Sequence, residues 1–266
     1  MAIEDHSNKC IDFDCFEAWK DATLAGFKQG FSQEDEWHPA VSTLVLMNEP
    51  DFLDVSPKCN ERGAWCRVRA MISALDGFLA AEKQAGIKPG RTRLTATWSF
   101  AMRTSIDGVI KEMPGVWGFQ DMVAVVANPS IVNYTVRSNL TDIQAAFNSR
   151  WIHGLNTQSP WKFVNEMVSK VYDQFAPVPW FIGEYGANGK TGEAILDDLR
   201  KMDLQADSAD PFKGVAFFQF QTAHEKGGSE LNYGLFNLGE GLVGRTGDVC
   251  DILSPCRQWT VHCLTT

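Results

Sequence analysis

The stretch LVLMNEPDF, residues 44–52, changes from apolar to polar within a few positions. Four apolar residues, Leu44 to Met47, are followed by Asn48, Glu49 and Pro50, whose ring removes a backbone hydrogen-bond donor. This pattern is typical of a buried strand whose last residues face a polar cleft. Glu49 therefore either begins an ordinary loop or occupies a strand end at which chemistry takes place.

Strands and helices alternate along the rest of the chain. Apolar runs predict five strands, at 41–50, 91–100, 150–158, 178–186 and 214–221. Apolar residues at helical spacing predict six helices, at 12–31, 63–86, 116–128, 141–149, 159–176 and 191–205. Near-continuous apolar strands indicate a parallel sheet covered on both faces. No glycine-rich phosphate-binding turn follows any strand, so a (β/α) barrel is favoured over an open nucleotide-binding sheet. From residue 239 we expect irregular chain and then a short terminal helix.

Composition narrows the range of partners. The 266 residues suffice for one large domain, and we interpret residues 1–266 as a single barrel domain. The net charge of −9 argues against nucleic acid and anionic membranes as partners. No stretch approaches the roughly 20 apolar residues of a membrane span. We expect a neutral substrate and no cofactor or metal.

Cysteines and glycosylation motifs indicate a secretory origin. Seven cysteines include two closely spaced pairs, Cys59/Cys66 and Cys250/Cys256, and two Asn-X-Thr motifs begin at Asn133 and Asn139. We therefore expect a secreted or cell-wall glycoprotein with disulfides, and we predict that Cys59 bonds to Cys66. The opening MAIEDHSNKC lacks the basic and apolar regions of a signal peptide.

A second predicted strand also ends on a glutamate. WFIGEYG carries Glu184, three strands after the one that ends at Glu49. Catalytic groups of a barrel sit at the carboxyl ends of its strands, so the two carboxyl groups could face each other across the barrel mouth. Glycosidic bond cleavage requires such a pair, because one group must donate a proton and the other must be ionised.

The segments VLMNEPDF and WFIGEYGANG resemble the fourth- and seventh-strand signatures of clan A glycoside hydrolases, which are retaining enzymes with a (β/α)8 TIM barrel. The resemblance implies that Glu49 is the general acid/base, that Glu184 is the nucleophile, and that Asn48 binds the sugar 2-hydroxyl. Retention implies carboxyl groups about 5–5.5 Å apart. PVPWFIGEYGANG and GVAFFQFQ are most similar to β-1,3-glucan-active members, including 1,3-β-glucanosyltransferases, and also resemble family 5 endoglucanases.

Further substrate-binding residues follow from the same resemblance. On the sixth strand, WIHGLNTQ, either His153 or Asn156 could stand against the nucleophile, although a lone histidine is more often structural. Tyr185 points away from Glu184 on an ideal strand but could turn into the cleft at the strand end. Trp98 is a candidate sugar platform, because an indole face stacks on a pyranose. On the eighth strand many clan members have a tryptophan below the cleaved sugar, whereas this chain offers Phe218, Gln219 or Gln221.

The resemblance covers only the last five of eight barrel strands. Three βα units normally take about 100 residues, but only 47 residues precede Asn48. We therefore expect an incomplete barrel of strands four to eight, truncated at its N-terminus, with a partner chain that closes the barrel as the less favoured reading. The functional alternatives to a hydrolase are a 1,3-β-glucanosyltransferase and an inactive carbohydrate-binding relic.

Overall fold

The computed structural model describes residues 10, 12–50, 65–100, 103–104, 110–112, 114–186, 191–208, 211–224, 226–245, 249–251, 254–257 and 260–265. Five strands form one parallel sheet: β1 (Thr43–Asn48), β2 (Arg93–Ser99), β3 (His153–Thr157), β4 (Trp180–Tyr185) and β5 (Phe212–Phe217). Each strand pairs with the next one along the chain. A doubly wound sheet would instead reverse its order at a switch point. The five predicted strands and their parallel arrangement are confirmed.

Helices connect the strands. They are α1 (Phe16–Gly26) before β1, α2 (Trp65–Ala85) after β1, α3 (Pro114–Ala127) and α4 (Leu140–Arg150) after β2, α5 (Trp161–Ser169) after β3 and α6 (Gly192–Ala206) after β4. Shorter helical turns lie at Phe27–Phe31, Pro129–Val132, Tyr172–Gln174 and Gly228–Asn232. With a right-handed crossover at each step, the sequential strand order places the connecting helices on the same face of the sheet.

The sheet is strongly curved. Trp98 of β2 faces the helices, where its indole packs against Gly118 of α3. Thr97 faces the opposite side of the sheet. A Cβ atom placed on Gly154 of β3 would lie 2.7 Å from the Thr97 methyl carbon, and one placed on Gly183 of β4 would lie 2.5 Å from it. Strands two apart in a flat sheet are separated by roughly 9.5 Å, which a threonine side chain cannot bridge. The sheet therefore curls around Thr97, and we call this side its concave face.

A side chain protects the edge strand β1. In the described part of the chain no further strand pairs with β1 or β5. The buried indole of Trp19, in α1, donates a hydrogen bond of 3.0 Å to the backbone carbonyl of Leu46 in β1. The Leu46 carbonyl of the edge strand thereby accepts a side-chain hydrogen bond, and α1 is fixed against the sheet.

The C-terminal region differs from the expectation. The segment Asn237–Arg245 pairs antiparallel with Thr260–Thr265, and Val249–Asp251 pairs antiparallel with Ser254–Arg257. The predicted terminal helix is therefore wrong. Its residues, TVHCLT, include the β-branched Thr260, Val261 and Thr265, which favour extended backbone. Two further antiparallel ribbons pair Ser32–Gln33 with Glu36–Trp37 and Arg103–Thr104 with Ile110–Glu112.

The structure contains a disulfide that the sequence did not predict. Cys10 and Cys15 form a disulfide just before α1, with Cα atoms 4.5 Å apart. Cys66 is buried in α2, and its predicted bond to Cys59 stays a prediction. Cys59 itself lies outside the described residues. The pair that bonds is five positions apart and lies in a turn, which brings its Cα atoms within reach.

Two further observations concern the glycosylation motifs and the helices. The asparagines of both glycosylation motifs, Asn133 and Asn139, are exposed. Among the described helices, none combines the length and the apolar character that a membrane crossing requires.

Candidate active site

A cleft of about 460 Å³ opens at the carboxyl ends of the strands. Its lining comes from the ends of β1 to β4 and from segments that follow the strands: Asn48, Glu49, Ser99, Phe100, Asn156, Thr157, Gln158, Ser159, Glu184, Gly186, Phe218, Lys226 and Tyr233. Both glutamates that the sequence singles out are among them. Because all five strands run in parallel, their carboxyl ends meet at one edge of the sheet, and residues far apart in sequence share one site.

Glu49 lies at a backbone turn directly after β1. Its φ angle is +46°, in the left-handed region, and its backbone N–H donates to the carbonyl of Thr97 at 2.6 Å. A non-glycine residue in this region costs on the order of 1 kcal/mol. The strand pairing with β2 thus continues to Glu49, while the left-handed turn redirects the chain before Pro50. The turn occurs at the residue that contributes a carboxyl group to the cleft.

Asn48, Glu49 and Asn156 form a connected hydrogen-bond network. The Thr97 hydroxyl donates to Asn48 Oδ1, and Asn156 Nδ2 donates to the same oxygen at 3.0 Å. Asn156 Nδ2 also lies 3.3 Å from Glu49 Oε1, to which it donates. Since both donors occupy the Asn48 carbonyl oxygen, the Asn48 amide nitrogen is the group that can donate to a ligand.

Glu184 also lines the cleft, at the end of β4. Gly186 follows it, and a Cβ atom placed there would lie 2.8 Å from the ring of Tyr233. Tyr233 meets Phe218 edge to face, with ring centroids 5.5 Å apart, and the Lys226 ammonium is 5.8 Å from the Phe218 centroid. The segment after β5 therefore supplies an aromatic wall and a cation beside the strand end that carries Glu184.

Trp98 and His153, two of the predicted binding residues, face the helices instead of the cleft. Trp98 is fully buried against α3, so its indole offers no face to a sugar. His153 is also fully buried, with its ring 4.4 Å from that of Phe119, and burial lowers its pKa to about 3. The predicted binding roles of Trp98 and His153 are therefore wrong. Their strand positions have the opposite parity to the residues on the concave face.

Tyr185 likewise points away from the cleft, and the irregular strand register next to it breaks the alternation that would place it on the same face as Gly183. Its hydroxyl donates to Asp198 of α6 at 2.6 Å, and burial, together with that carboxylate, raises the pKa of Tyr185. Gln219 is not among the lining residues; its backbone carbonyl accepts from Leu235 N–H at 2.9 Å. Tyr185 therefore does not contact the cleft, whereas Phe218 lines it, and the substrate contact predicted for Gln219 stays a prediction.

Sequence reasoning missed several lining residues. Ser99 lies two positions after Thr97, so strand alternation alone could have identified it. Gln158 and Ser159 directly follow the end of β3 and could have been found in the same way. Lys226 and Tyr233 lie in the segment after β5, whose path the sequence pattern does not predict.

The charges of the lining are few. Among the lining residues that the structure describes, they are the carboxylates Glu49 and Glu184 and the ammonium of Lys226; most other polar groups are amides and hydroxyls. Amides and hydroxyls suit a neutral, hydroxyl-rich ligand. Across the described ranges no cluster of three or more His, Cys, Asp or Glu side chains is placed to hold a metal ion.

Comparisons with known proteins add little beyond this geometry. No family model matches the sequence, and no curated protein matches it. A solved structure, the AHE enzyme from Alicyclobacillus herbarius, is similar with a TM-score of 0.49 and 13% sequence identity. The match covers 85% of this chain and 64% of that one, so this chain spans just under two thirds of the length of the solved structure.

Proposed function

We propose that this protein is a retaining glycoside hydrolase that cleaves O-glycosidic bonds of a polysaccharide, with β-glucan as the best candidate substrate. The observation that carries the proposal is the shared cleft of Glu49 and Glu184, which end two strands that are not neighbours in the sheet. Of the residues that the parallel strands bring to this edge of the sheet, Glu49 and Glu184 are the carboxylates in the described lining of the cleft. A carboxyl pair in that position is the chemical requirement for glycoside hydrolysis.

In the first step, Glu184 attacks the anomeric carbon as the nucleophile. The glycosidic bond breaks as Glu49 transfers its proton to the leaving oxygen, and a glycosyl ester forms on Glu184. In the second step, Glu49 accepts a proton from water, the water oxygen attacks the same carbon, and the ester bond breaks. Two inversions give net retention. The Asn48 amide nitrogen would donate to the sugar 2-hydroxyl.

For the fold, we propose that β1 to β5 correspond to strands four to eight of a (β/α)8 barrel. The sequential strand order and the curl of the sheet around Thr97 support this assignment. In such a barrel the concave face is the barrel interior, and the cleft lies at the end where barrel enzymes place their chemistry.

The choice of β-glucan rests on the resemblance of residues 177–189 and 214–221 to β-1,3-glucan-active enzymes. A glucanosyltransferase would use the same ester on Glu184 and resolve it with a sugar hydroxyl instead of water. A binding relic would retain the cleft without turnover. The presence of both glutamates favours an enzyme over a relic.

The test is incubation of the purified protein with β-1,3-glucan, mixed-linkage β-glucan and cellulose. We expect hydrolysis of at least one of them, with the β-anomer as the first product in proton NMR. Glu184→Gln should abolish turnover. Glu49→Gln should slow it about 100-fold or more on glucan, with less effect on aryl glycosides whose leaving group needs no proton.

The control is Glu193→Gln, which changes an exposed glutamate in the first turn of α6 and should leave rates unchanged. A 2-fluoro glycoside that traps the ester should add its mass to the peptide that carries Glu184. First products of inverted configuration, or full activity of Glu184→Gln, would contradict the mechanism. Products longer than the substrate would indicate the transferase, and binding without any product would indicate the relic.

A further inference from the structure

We infer that Asn156 is a positioning residue for the proposed acid/base, and that it determines which oxygen of Glu49 carries the proton. The inference rests on the proposed function, because only an acid needs its proton on a particular oxygen. It goes beyond that function because it assigns a role to a residue of another strand. Asn156 is the penultimate residue of β3 and is 4% exposed.

The hydrogen-bond pattern defines the orientation of the Asn156 amide. Asn48 Oδ1 accepts from both the Thr97 hydroxyl and Asn156 Nδ2. If the Asn156 amide were reversed, its oxygen would face Asn48 Oδ1, which is an acceptor. The structure therefore presents the NH2 group of Asn156 to both oxygens, at 3.0 Å and 3.3 Å.

The same orientation has a cost for Asn156. Its Oδ1 atom is buried and has no hydrogen-bond partner among the described residues. A buried acceptor without a partner is unfavourable. The arrangement is understandable if the amide orientation is set by the needs of Asn48 and Glu49 and not by those of Asn156 itself.

The orientation of the Asn156 amide distinguishes the two carboxyl oxygens of Glu49. A protonated carboxyl group has one hydroxyl oxygen, which donates, and one carbonyl oxygen, which accepts. Because Asn156 Nδ2 donates to Oε1, Oε1 is the carbonyl oxygen and the proton resides on Oε2. Oε2 is then the oxygen that delivers the proton to the glycosidic oxygen and later takes one from water.

The hydrogen bond from Asn156 should also change the pKa of Glu49 in a definite direction. A hydrogen bond donated to a carboxylate stabilises its ionised form and lowers its pKa. Asn156→Ala removes that donor and should raise the pKa of Glu49. Asn156→Asp replaces the donor with a second carboxyl group of nearly the same shape and should raise it further, by about one to three units. The other titratable groups of the cleft, Glu184, Lys226 and Tyr233, are unchanged in both variants.

The experiment is a carboxyl carbon-13 NMR titration of the full chain with labelled glutamate, without substrate. Glu49 is assigned as the signal missing from Glu49→Gln. The matched control is Asn128→Asp, which makes the same charge change at an exposed asparagine before the turn Pro129–Val132. We expect the Glu49 midpoint to rise in Asn156→Ala, to rise more in Asn156→Asp, and to stay at its wild-type value in Asn128→Asp.

The outcomes separate the inference from the proposed function. An identical Glu49 titration in all four proteins would overturn the role of Asn156, whether or not the protein is active. If the titration shifts but no glycoside is hydrolysed, the proposed function fails and the contact stands. In an active enzyme, the basic limb of the kcat/KM profile should move with the Glu49 midpoint. If Asn156→Asp does not fold, Asn156→Ala tests the same shift.

Discussion

His153 is a fully buried imidazole within an aromatic cluster. Its ring centroid lies 4.4 Å from that of Phe119 and 5.4 Å from that of Phe175, and its Nδ1 accepts from the Trp151 indole at 3.2 Å. Its Nε2 is buried without a hydrogen-bond partner in the described part of the protein. Burial holds the pKa of His153 at about 3, because an imidazolium ion would have no solvation there.

This environment predicts acid sensitivity. The folded pKa of about 3 lies below the ordinary value of 6.5, so between these pH values the unfolded chain binds one more proton than the folded chain. The free energy of unfolding should therefore fall as the pH decreases below about 6.5, with a loss of about 2 kcal/mol at pH 5 from this group.

Urea unfolding at pH 7 and pH 5 measures this loss. His153→Phe should remove about 2 kcal/mol of the difference between the two pH values, even if it lowers stability at both. His38→Gln, at an exposed histidine, serves as the control and should retain the wild-type difference. An unchanged pH dependence in His153→Phe would show that His153 does not titrate on unfolding.

At the residue scale, the sequence predicts the glutamates but misassigns their neighbours. Glu49 and Glu184 are recognisable because a carboxylate at the end of an apolar strand is unusual, and both line the cleft. Alternation along a strand shows which residues share a face, but not which of the two faces carries the site. Chemical type alone suggests Trp98 and His153 as sugar contacts, but their parity places both against the helices.

At the scale of elements, a buried ion pair fastens α4 to α2. Arg150, the last residue of α4, donates to both carboxylate oxygens of Glu82 at 2.8 and 2.9 Å, and its Nε donates to the carbonyl of Thr92. The Trp37 indole donates to Glu82 as well. Arg150 and Glu82 are 7% and 5% exposed. The ion pair thus connects two helices, the chain before β1 through Trp37 and the chain before β2 through Thr92.

Arg150→Met should lower the free energy of unfolding by about 3–5 kcal/mol, because it leaves Glu82 buried without its counter-charge. The double variant Arg150→Met/Glu82→Leu should recover much of the loss, since no buried charge remains. Lys201→Met breaks an exposed ion pair with Asp197 and should leave stability close to that of the wild type. Chemical denaturation of the four proteins provides the comparison, and equal effects of Arg150→Met and Lys201→Met would contradict this role.

The elements also show what sequence patterns can and cannot predict. The order of the strands and the six main helices follows from local periodicity, which short stretches of chain determine. The pairing of Arg150 with Glu82 crosses 68 positions, and no local pattern contains it. The same limit applies to the antiparallel strands near the C-terminus, whose stability depends on a partner strand rather than on their own sequence.

At the scale of the whole molecule, curvature brings the two glutamates into one cleft. β1 and β4 are separated by two strands, which would hold their ends roughly 14 Å apart in a flat sheet. The curl requires that Thr97 of β2 approach β4 closely, and glycine at 183 is the residue that permits it. Gly183 therefore contributes to the site through the shape of the sheet.

Gly183→Ala tests this dependence. The added Cβ would lie 2.5 Å from the Thr97 methyl carbon, which the packed concave face cannot accommodate without movement of the strands. We expect a loss of about 1–3 kcal/mol of stability from overpacking. A shift of the strand ends by about 1 Å should also lower the rate of glycoside hydrolysis by about 100-fold. Gly192→Ala, which meets no atom within 4 Å at the start of α6, should retain activity and stabilise the fold by a few tenths of a kcal/mol.

A second substitution, at Thr97, tests whether the contact between Thr97 and residue 183 causes the losses expected in Gly183→Ala. Thr97→Ser removes the methyl group but keeps the hydroxyl that donates to Asn48, so by itself it should have a small effect. In Gly183→Ala/Thr97→Ser the closest contact is gone, and stability and rate should both recover. The recovery should be partial, because the new Cβ would still lie 2.9 Å from Asn156 Oδ1. If the two substitutions instead reduce stability additively, Thr97 and Gly183 do not contact each other, and the shared cleft of Glu49 and Glu184 must have another structural origin.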